Sequence, residues 1–403
     1  MIASLSIFLL ALGGIGGSFQ PSRIFILLSG ILFFIKNKTK QKYIGITPLI
    51  KKGLVVYFIW IAYGLFTLQW APDPLLGLKS EIIVMAIGMS SLFFFPFYYR
   101  NDLSTLTILV KMWTWSCIFT LPIAYYEIIT FQHFFYLDDD RVLGGLGINV
   151  PFAAIFFGNY NGYSNILCFY FPFLLISFIN ASKKSLRFFL GFVLVLTVLV
   201  LLINTSRGAL LACAIISISA IRFTVKKICL AILSIFVTYF LLPAKFKNII
   251  DTVIFYRFGT DSGGAFEDSL RTDLFKAGIE FIKDSYGFGI GAGGFEELMP
   301  SSKYYSGMIN PHNIFIEIVS QYGILIFILF VYWLCIIGYG VWKNKTLSIQ
   351  IRKILVSTLL CFPIIGAINS AALGYTYWWI FLTTVALIAS IKPNSIISYK
   401  EYK

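Results

Sequence analysis

Charged side chains are scarce in this chain: 12% of its 403 residues carry a charge, whereas 58% are apolar. A typical soluble domain is about half apolar and about a quarter charged. The composition therefore excludes a water-soluble enzyme with one buried core, and it also excludes a disordered chain. The apolar runs are long and continuous instead of alternating, which excludes a transmembrane β-barrel.

Histidine and cysteine are also sparse. The two histidines, His133 and His312, lie far apart in the sequence. The six cysteines all fall inside apolar runs without a C-x-x-C pair, so we expect them to be small buried hydrophobes. This pattern excludes a disulfide scaffold, and it offers no spacing for a zinc site. We expect neither a metal nor a cofactor.

Twelve apolar runs are candidates for membrane helices, each of which needs about 20 apolar residues. They cover about residues 2–17, 22–35, 53–69, 79–97, 108–129, 161–181, 188–204, 208–221, 228–243, 313–341, 354–373 and 375–391. The expected fold is an all-α polytopic integral membrane protein with about 12 transmembrane helices. We expect a large extracytoplasmic loop between the ninth and tenth spans.

The basic residues orient this topology. One set of loops, with both termini, carries 21 of the 32 Lys and Arg residues but two of the 18 acidic ones. The positive-inside rule places that side in the cytoplasm. The net charge of +14 is then explained by topology and anionic-lipid contact, not by nucleic-acid binding. The polar stretches at about 131–160 and 243–311 face outward, where a substrate must arrive already activated.

The first polar candidate lies at Asn204–Gly208, where a span begins. Thr205 or Ser206 can cap that helix, which places Arg207 in its first turn at the membrane boundary. Arg207 is either a snorkelling interfacial side chain or a fixed guanidinium beside a helix N-terminus, an arrangement that suits phosphate.

The second candidate is the helical segment 268–284. Its polar arc comprises Asp273, Lys276, Glu280, Lys283 and Asp284, and its apolar face comprises Leu270, Leu274, Phe275, Ile279, Phe281 and Ile282. Arg271 projects into the apolar face, where a cation needs an anionic partner. That partner is Glu267, Glu296 or a ligand.

The third candidate opens the tenth span, with Asn310 as the expected cap and Pro311 as the first helical residue. On a helical wheel, one half of this span is polar and is expected to form a pocket wall; it comprises His312, Asn313, Glu317, Ser320 and Gln321. A lone histidine is often structural. At a helix N-terminus, which lowers its pKa, we interpret His312 as functional.

The sequence 289–294 matches the G-x-G-x-x-G pattern of dinucleotide sites. It lies in an outward loop without a βαβ unit, so we reject a nucleotide site. We expect these glycines to let the backbone turn tightly under a bulky ligand.

Seven motifs, in order, resemble the O-antigen ligase and Wzy-type polymerase superfamily, which are bacterial membrane glycosyltransferases. They are WAPDP at 70–74, RVLG at 141–144, FGNYNGYS at 157–164, TSRGALL at 205–211, RTDLF at 271–275, GFGIGAGGF at 287–295, and PHNIFI at 311–316 with Gly323. The resemblance spans about residues 55–340. One departure is Tyr160, where the family often has proline between two asparagines.

The resemblance implies a metal-independent inverting glycosyltransferase that acts on glycans linked to undecaprenyl diphosphate. It implies that Arg207 and Arg271 bind the diphosphate and that His312 is the base. We assign substrate contacts to Arg141, Asn159, Asn161, Asn313 and Glu317. The implied division is transmembrane helices 1–9 in 1–242 with an outer loop at about 130–160, a large extracytoplasmic catalytic loop in 243–312, and helices 10–12 with a cytoplasmic tail in 313–403.

The expected activity is polymerisation of lipid-linked repeat units into O-antigen or capsule at the bacterial inner membrane. Expected partners are the lipid-linked donor, the glycan acceptor, membrane lipids and a chain-length regulator protein, with no nucleic acid. A ligase that transfers the glycan to lipid A core or another final acceptor would use the same donor-side residues. A lipid-linked glycan flippase is the alternative from another class, and the absence of an internal repeat argues against it.

Overall fold

The computed structural model describes residues 2–15, 19–36, 46–99, 101–134, 151–220, 247, 263–369 and 372–392. All regular structure in these ranges is helical. Six helices are long and apolar enough to cross a membrane, and four shorter apolar helices accompany them. The chain is therefore an all-helical polytopic membrane protein. The expected total of 12 spans stays a prediction, and the run at 228–243 lies outside the described residues.

The helices of the described ranges are numbered here in chain order. They are α1 (Ile2–Phe8), α2 (Pro21–Lys36), α3 (Pro48–Thr67), α4 (Pro74–Phe97), α5 (Leu103–Thr130), α6 (Tyr160–Asn180), α7 (Lys184–Ile203), α8 (Arg207–Ala220), α9 (Gly263–Asp284), α10 (Gly294–Leu298), α11 (Ile314–Lys343), α12 (Ile349–Leu360), α13 (Phe362–Ile365) and α14 (Thr376–Ala389). A π-helical turn at Gly77–Ile82 interrupts α4.

Polar side chains fix where many of these helices begin. In each case a side-chain oxygen accepts a backbone N–H from the first turn, which satisfies a donor that the helix cannot pair itself. The capping residues are Thr47 for α3, Asp73 for α4, Asp102 for α5, Asn159 for α6, Asn313 for α11 and Ser348 for α12. The positions of these helices along the chain are thus set by local sequence.

The expected single helix over 354–373 is wrong. α12 ends at Leu360 and α13 is a four-residue helix. Residues 366–369 are irregular, and a short 3-10 turn follows at Ala372–Gly374. The physical reason is local, since Pro363 has no N–H to continue the helical ladder and Gly366 follows it closely. We call residues 361–375 the broken segment.

The described residues have one large core and one small one. The large core is rich in rings, with Trp60 packed edge-on against Tyr322 and Trp379, and Trp113 stacked on Phe173. The small core comprises Leu274, Ala277, Phe281, Ile290, Phe295 and Met299. The segment between α9 and α11 is therefore an apolar-cored layer packed on one end of the membrane helices.

Candidate active site

The broken segment contacts all three of the predicted site elements. Beside Arg207, a β-carbon on Gly208 would lie 3.2 Å from Ile368 Cγ1. Arg271 Nη1 donates to the Ala367 carbonyl at 3.4 Å, and Ile314 N at the start of α11 donates to the Gly366 carbonyl at 3.0 Å. Residues far apart in sequence therefore meet at one end of the bundle, around the irregular residues 366–368 that follow α13.

Arg207 is the first residue of α8, as predicted. The turn before it is sharp, because Thr205 has a φ of +56° and Ser206 is buried. The Ser206 carbonyl accepts the N–H of Leu210 at 3.0 Å, which opens the helical ladder. The exposed Arg207 side chain is thus fixed at its base by a strained turn and a helix N-terminus.

Arg271 is half-buried in α9 and reaches the broken segment, as expected for a cation that points into packed structure. The apolar face of α9 is buried only in part. Leu274 and Phe281 are buried, but Phe275 and Ile279 are exposed. On the buried side, Gly278 lets Ile316 of α11 approach closely, since a β-carbon there would lie 2.3 Å from Ile316 Cγ2.

The polar arc of α9 faces solvent as predicted. Lys276 lies 3.3 Å from Asp273, and Lys303 lies 2.6 Å from Glu280, with both lysines exposed. These pairs are worth little stability in water. The two ion pairs show which face of α9 is exposed to solvent, and Arg271 lies on the opposite face.

His312 lies outside α11, because the predicted start of that helix is wrong. Asn313, not Asn310, is the cap: its side-chain oxygen accepts from Phe315 N at 2.9 Å and Ile316 N at 3.3 Å. Asn310 does not cap the helix, because its side-chain amide donates to the Glu296 carboxylate instead. The half-buried His312 therefore sits beside the capped N-terminus of α11, which is unfavourable for a positive charge.

Glu296 adds a partly buried carboxyl to the layer that contains α9 and α10. Burial raises its pKa, and the neighbouring charge of Glu297 raises it further. Because Glu296 accepts from Asn310, it fixes the chain two residues before His312. Its contribution to this layer is to position the histidine-bearing turn.

Glu317 is buried, with 3% of its surface exposed. Its Oε2 atom accepts from Ala372 N at 2.8 Å and its Oε1 atom accepts from Leu373 N at 3.4 Å. Ser320 and Gln321 are buried too, so protein encloses the middle of the polar half of α11. The expected pocket wall stays a prediction. Glu317 pairs with backbone that has no helical partner, which explains why this polar stripe is tolerated in an apolar helix.

The glycine loop, residues 287–294, packs against protein and not under a ligand, which corrects the expectation above. A β-carbon on Gly289 would lie 2.4 Å from the Gln321 carbonyl oxygen, and one on Gly291 would lie 2.7 Å from Ala71. Opposite the loop, α11 is kinked at Gly323, where φ is +78°. Glycine is required here because two stretches of backbone approach without room for a side chain.

Every backbone N–H of the glycine loop is donated within the protein. Acceptors outside the loop include the carbonyls of Ser320 and Gln321, Thr67 Oγ1 at 3.3 Å and Glu81 Oε2 at 2.7 Å. The remaining donors pair with residues 282, 285 and 291. A phosphate cradle needs free N–H groups, and this loop has none to offer.

The WAPDP motif pairs with the glycine loop. Trp70 Nε1 donates to the Gly289 carbonyl at 2.8 Å, and a β-carbon on Gly294 would lie 3.2 Å from Pro72. Asp73 caps α4 through bonds to Leu75 N and Leu76 N. Two family motifs that are more than 200 residues apart thus form one scaffold.

Residues 151–159, which precede α6, are anchored to α5 and to the turn before α8. Asn204 donates to and accepts from the backbone of Ala153, and Glu127 accepts from the N–H groups of Ala154 and Ile155 at 2.8 Å. Asn159, predicted to contact substrate, caps α6 by accepting from Gly162 N at 2.6 Å.

Of the other two predicted substrate contacts in this region, Asn161 lies half-buried in the first turn of α6. Arg141 lies outside the described residues. The anchored loop places α6 and α8 side by side, with Asn161 and Arg207 at the same end of the bundle.

Sequence reasoning missed Arg23. This arginine of α2 is 5% exposed, and it donates from Nε to Thr376 Oγ1 at 2.8 Å and from Nη2 to the Gly374 carbonyl at 2.6 Å. The signal was available, since Arg23 lies in the first turn of an apolar helix, as Arg207 does. The broken segment was also missed, although Pro363, Gly366 and Asn369 interrupt its apolar run.

Comparison with known proteins supports the resemblance that the motifs indicated. The O-antigen ligase family model matches residues 192–331, a range that holds Arg207, Arg271, His312, Asn313 and Glu317. The chain is also similar to the teichuronic acid biosynthesis protein TuaE of Bacillus subtilis (strain 168), with 24% identity over 398 residues covering 93% of this chain and 79% of that protein. Both comparisons support the resemblance of the chain to the O-antigen ligase and Wzy-type polymerase superfamily, and they support a membrane enzyme of polysaccharide biosynthesis.

Proposed function

We propose that this protein is a glycosyltransferase that polymerises polyprenyl-diphosphate-linked repeat units on the outer face of the cytoplasmic membrane. The observation that carries the proposal is the convergence of α8, α9 and the start of α11 on the broken segment. Irregular backbone at membrane depth is tolerated where it is buried in protein or lines a cavity, and such breaks often mark binding sites.

The reaction needs no external energy, because the diphosphate is a good leaving group. The acceptor hydroxyl oxygen attacks the anomeric carbon from the side opposite the diphosphate. The new C–O bond forms as the bond from that carbon to the phosphate oxygen breaks, with inversion. The hydroxyl proton passes to the base, and the lipid diphosphate leaves with the electron pair.

The proposed roles follow from charge and position. Arg207 and Arg271 bind the diphosphate and stabilise the charge that develops as it leaves, a type of stabilisation worth about 10²–10³ in rate per donor. His312 accepts the proton, which is worth about 10²–10⁴. Glu317 acts on the broken segment and Asn313 on the helix start, so both are positioning residues. Arg141 and Asn161 are proposed glycan contacts, and Asn159 orients the loop that carries Asn161.

The proposed orientation has both termini in the cytoplasm of a bacterium and the layer of α9 and α10 outside. Outward placement is what gives the site access to a flipped lipid-linked donor and a second lipid-linked acceptor. A regulator of chain length is a proposed protein partner. No step is assigned to a metal.

The ligase alternative is favoured by the match of residues 192–331 to the O-antigen ligase family. A polymerase adds the growing chain to another lipid-linked repeat, whereas a ligase adds it to a final acceptor. A deletion strain distinguishes the two. Surface glycan reduced to single repeats supports the polymerase, and long lipid-linked chains that stay unattached support the ligase.

Alanine variants test the catalytic assignment. Arg207→Ala, Arg271→Ala and His312→Ala are each expected to reduce extension of a lipid-linked repeat by purified protein at least about 100-fold, while the protein still folds in the membrane. Lys276→Ala is the matched control, because it removes a cation from the exposed face of the helix that carries Arg271. Normal chain length in any of the three variants contradicts the role of that residue.

A further inference from the structure

A basic groove lies at the end of the bundle opposite the candidate active site. It is formed where α3 begins at Pro48, α11 ends at Lys343 and α14 ends at Ala389, and its volume is about 460 Å³. Because α11 has 30 residues with a rise of about 1.5 Å each, the groove lies up to about 45 Å from His312. The two sites are thus separated by about the full thickness of a bilayer.

The groove combines three ammonium groups with an apolar wall. Lys52, Lys343 and Lys392 come from three separate parts of the chain, and Leu49 and Ile336 provide apolar surface. Its lining contains no acidic residue. Within the described ranges, none of these lysines lies within 4 Å of a carboxylate. The positive charge of the groove is therefore not neutralised by the part of the protein that the structure describes.

The polar neighbours of the lysines are already engaged. Thr47 and Ser390 share a hydrogen bond of 2.8 Å between their hydroxyl oxygens, and Asn344 donates to the carbonyl of Ile391 at 2.8 Å. Lys343 lies 4.9 Å from the ring centroid of the exposed Tyr339. What the groove offers to a ligand is cationic charge at the membrane boundary, bordered by an aromatic ring of the kind found at headgroup depth.

We propose that the basic groove binds one anionic phospholipid. Its headgroup phosphate lies among Lys52, Lys343 and Lys392, and the first part of an acyl chain lies along Leu49 and Ile336. Basic pockets between the ends of membrane helices suit such headgroups, whereas the apolar wall favours an amphiphile over free phosphate. The bound lipid joins the inner ends of α3 and α11, the two helices whose outer ends hold the glycine loop.

Native mass spectrometry of the detergent-purified protein tests this proposal. Phosphatidylglycerol is expected to bind in preference to phosphatidylcholine with the same acyl chains. Replacement of Lys52, Lys343 and Lys392 by Gln is expected to weaken phosphatidylglycerol binding about 100-fold, at about fivefold per lysine. Replacement of the same three residues by Arg retains the charge and is expected to retain binding, which shows that the groove tolerates substitution.

The matched control is a triple Gln variant of Lys51, Lys345 and Lys353. These lysines are exposed at the same end of the bundle and do not line the groove, so the change in net charge is identical. Equal loss of binding in the two triple Gln variants overturns the proposal in favour of non-specific charge attraction. Equal binding of phosphatidylglycerol and phosphatidylcholine by the unmodified protein overturns the proposal too. Displacement of bound phosphatidylglycerol by inorganic phosphate, or by an equimolar polyprenyl phosphate, has the same consequence.

Discussion

The glycine loop and the broken segment are both largely irregular stretches of backbone at the same end of the bundle, but they use their polar groups differently. The glycine loop donates all eight of its N–H groups to neighbouring backbone, hydroxyl and carboxylate groups. The broken segment instead receives side chains: Asn165 and Arg271 donate to its carbonyls, and Glu317 accepts from its N–H groups.

This difference indicates that the glycine loop is a structural scaffold and that the broken segment belongs to the candidate site. A loop whose backbone N–H groups all donate to protein acceptors can hold helices in place, but it has no donor left for a ligand. A segment held by charged side chains can shift when those side chains bind something else. The family motif that most resembles a ligand-binding loop is thus structural, and the stretch without a recognised motif lies at the centre of the site.

The largest expected effect comes from adding one carbon to the glycine loop. In Gly289→Ala the new β-carbon would lie 2.4 Å from the Gln321 carbonyl oxygen, and the residue would keep a φ of +88°. We therefore expect the free energy of unfolding to fall by about 3 kcal/mol or more, which leaves little folded protein. Fluorescence-detected size-exclusion chromatography measures the folded fraction. Gly307→Ala is the control, since its φ is +96° but nothing lies within 4 Å. Equal losses in the two variants would show that the close packing of the loop contributes nothing.

A smaller effect is expected when the broken segment loses one acceptor. Glu317→Gln places an amide NH₂ opposite a backbone N–H at Ala372 or Leu373, and a buried donor without a partner costs about 1–3 kcal/mol. We expect a lower melting temperature in detergent together with reduced polymer formation. Glu297→Gln, at an exposed site in the adjacent layer, is the control. An unchanged melting temperature for Glu317→Gln would show that the carboxylate does not hold the segment.

The smallest effect is a change in how protein stability depends on pH. It comes from Glu296, which lies between the glycine loop and His312 in the sequence. Because the pKa of Glu296 is raised in the folded protein, its proton stabilises the fold fully below the ordinary value of 4.5, and this stabilisation is lost as the pH rises through the raised value. The melting temperature of Glu296→Gln relative to the native protein should therefore increase as the pH rises above 4.5.

Thermal denaturation in detergent at several pH values measures this difference. Asp284→Asn removes an exposed carboxylate from the same outer layer and serves as the control. A difference for Glu296→Gln that stays constant across the pH range, or one that matches the control, would contradict the assignment.

Much of the fold could be predicted because its signals are local. Apolar runs identified nearly every described membrane helix, and the residues around Arg207 located the start of α8 correctly. The start of α11 was misplaced because Asn310 and Asn313 are both good caps. Their competition was decided by Glu296, which binds Asn310 from another element.

The sequence by itself determined that this chain is a helical membrane protein that resembles the O-antigen ligase superfamily, since hydropathy and motif order need no knowledge of neighbours. Tertiary structure alone decided that Trp70 supports Gly289, that Arg23 is buried against the broken segment, and that Glu317 pairs with that segment and not with a pocket. Such contacts join residues 55 to more than 350 positions apart. Their energies depend on which backbone groups the packing leaves without partners, and no local pattern encodes that.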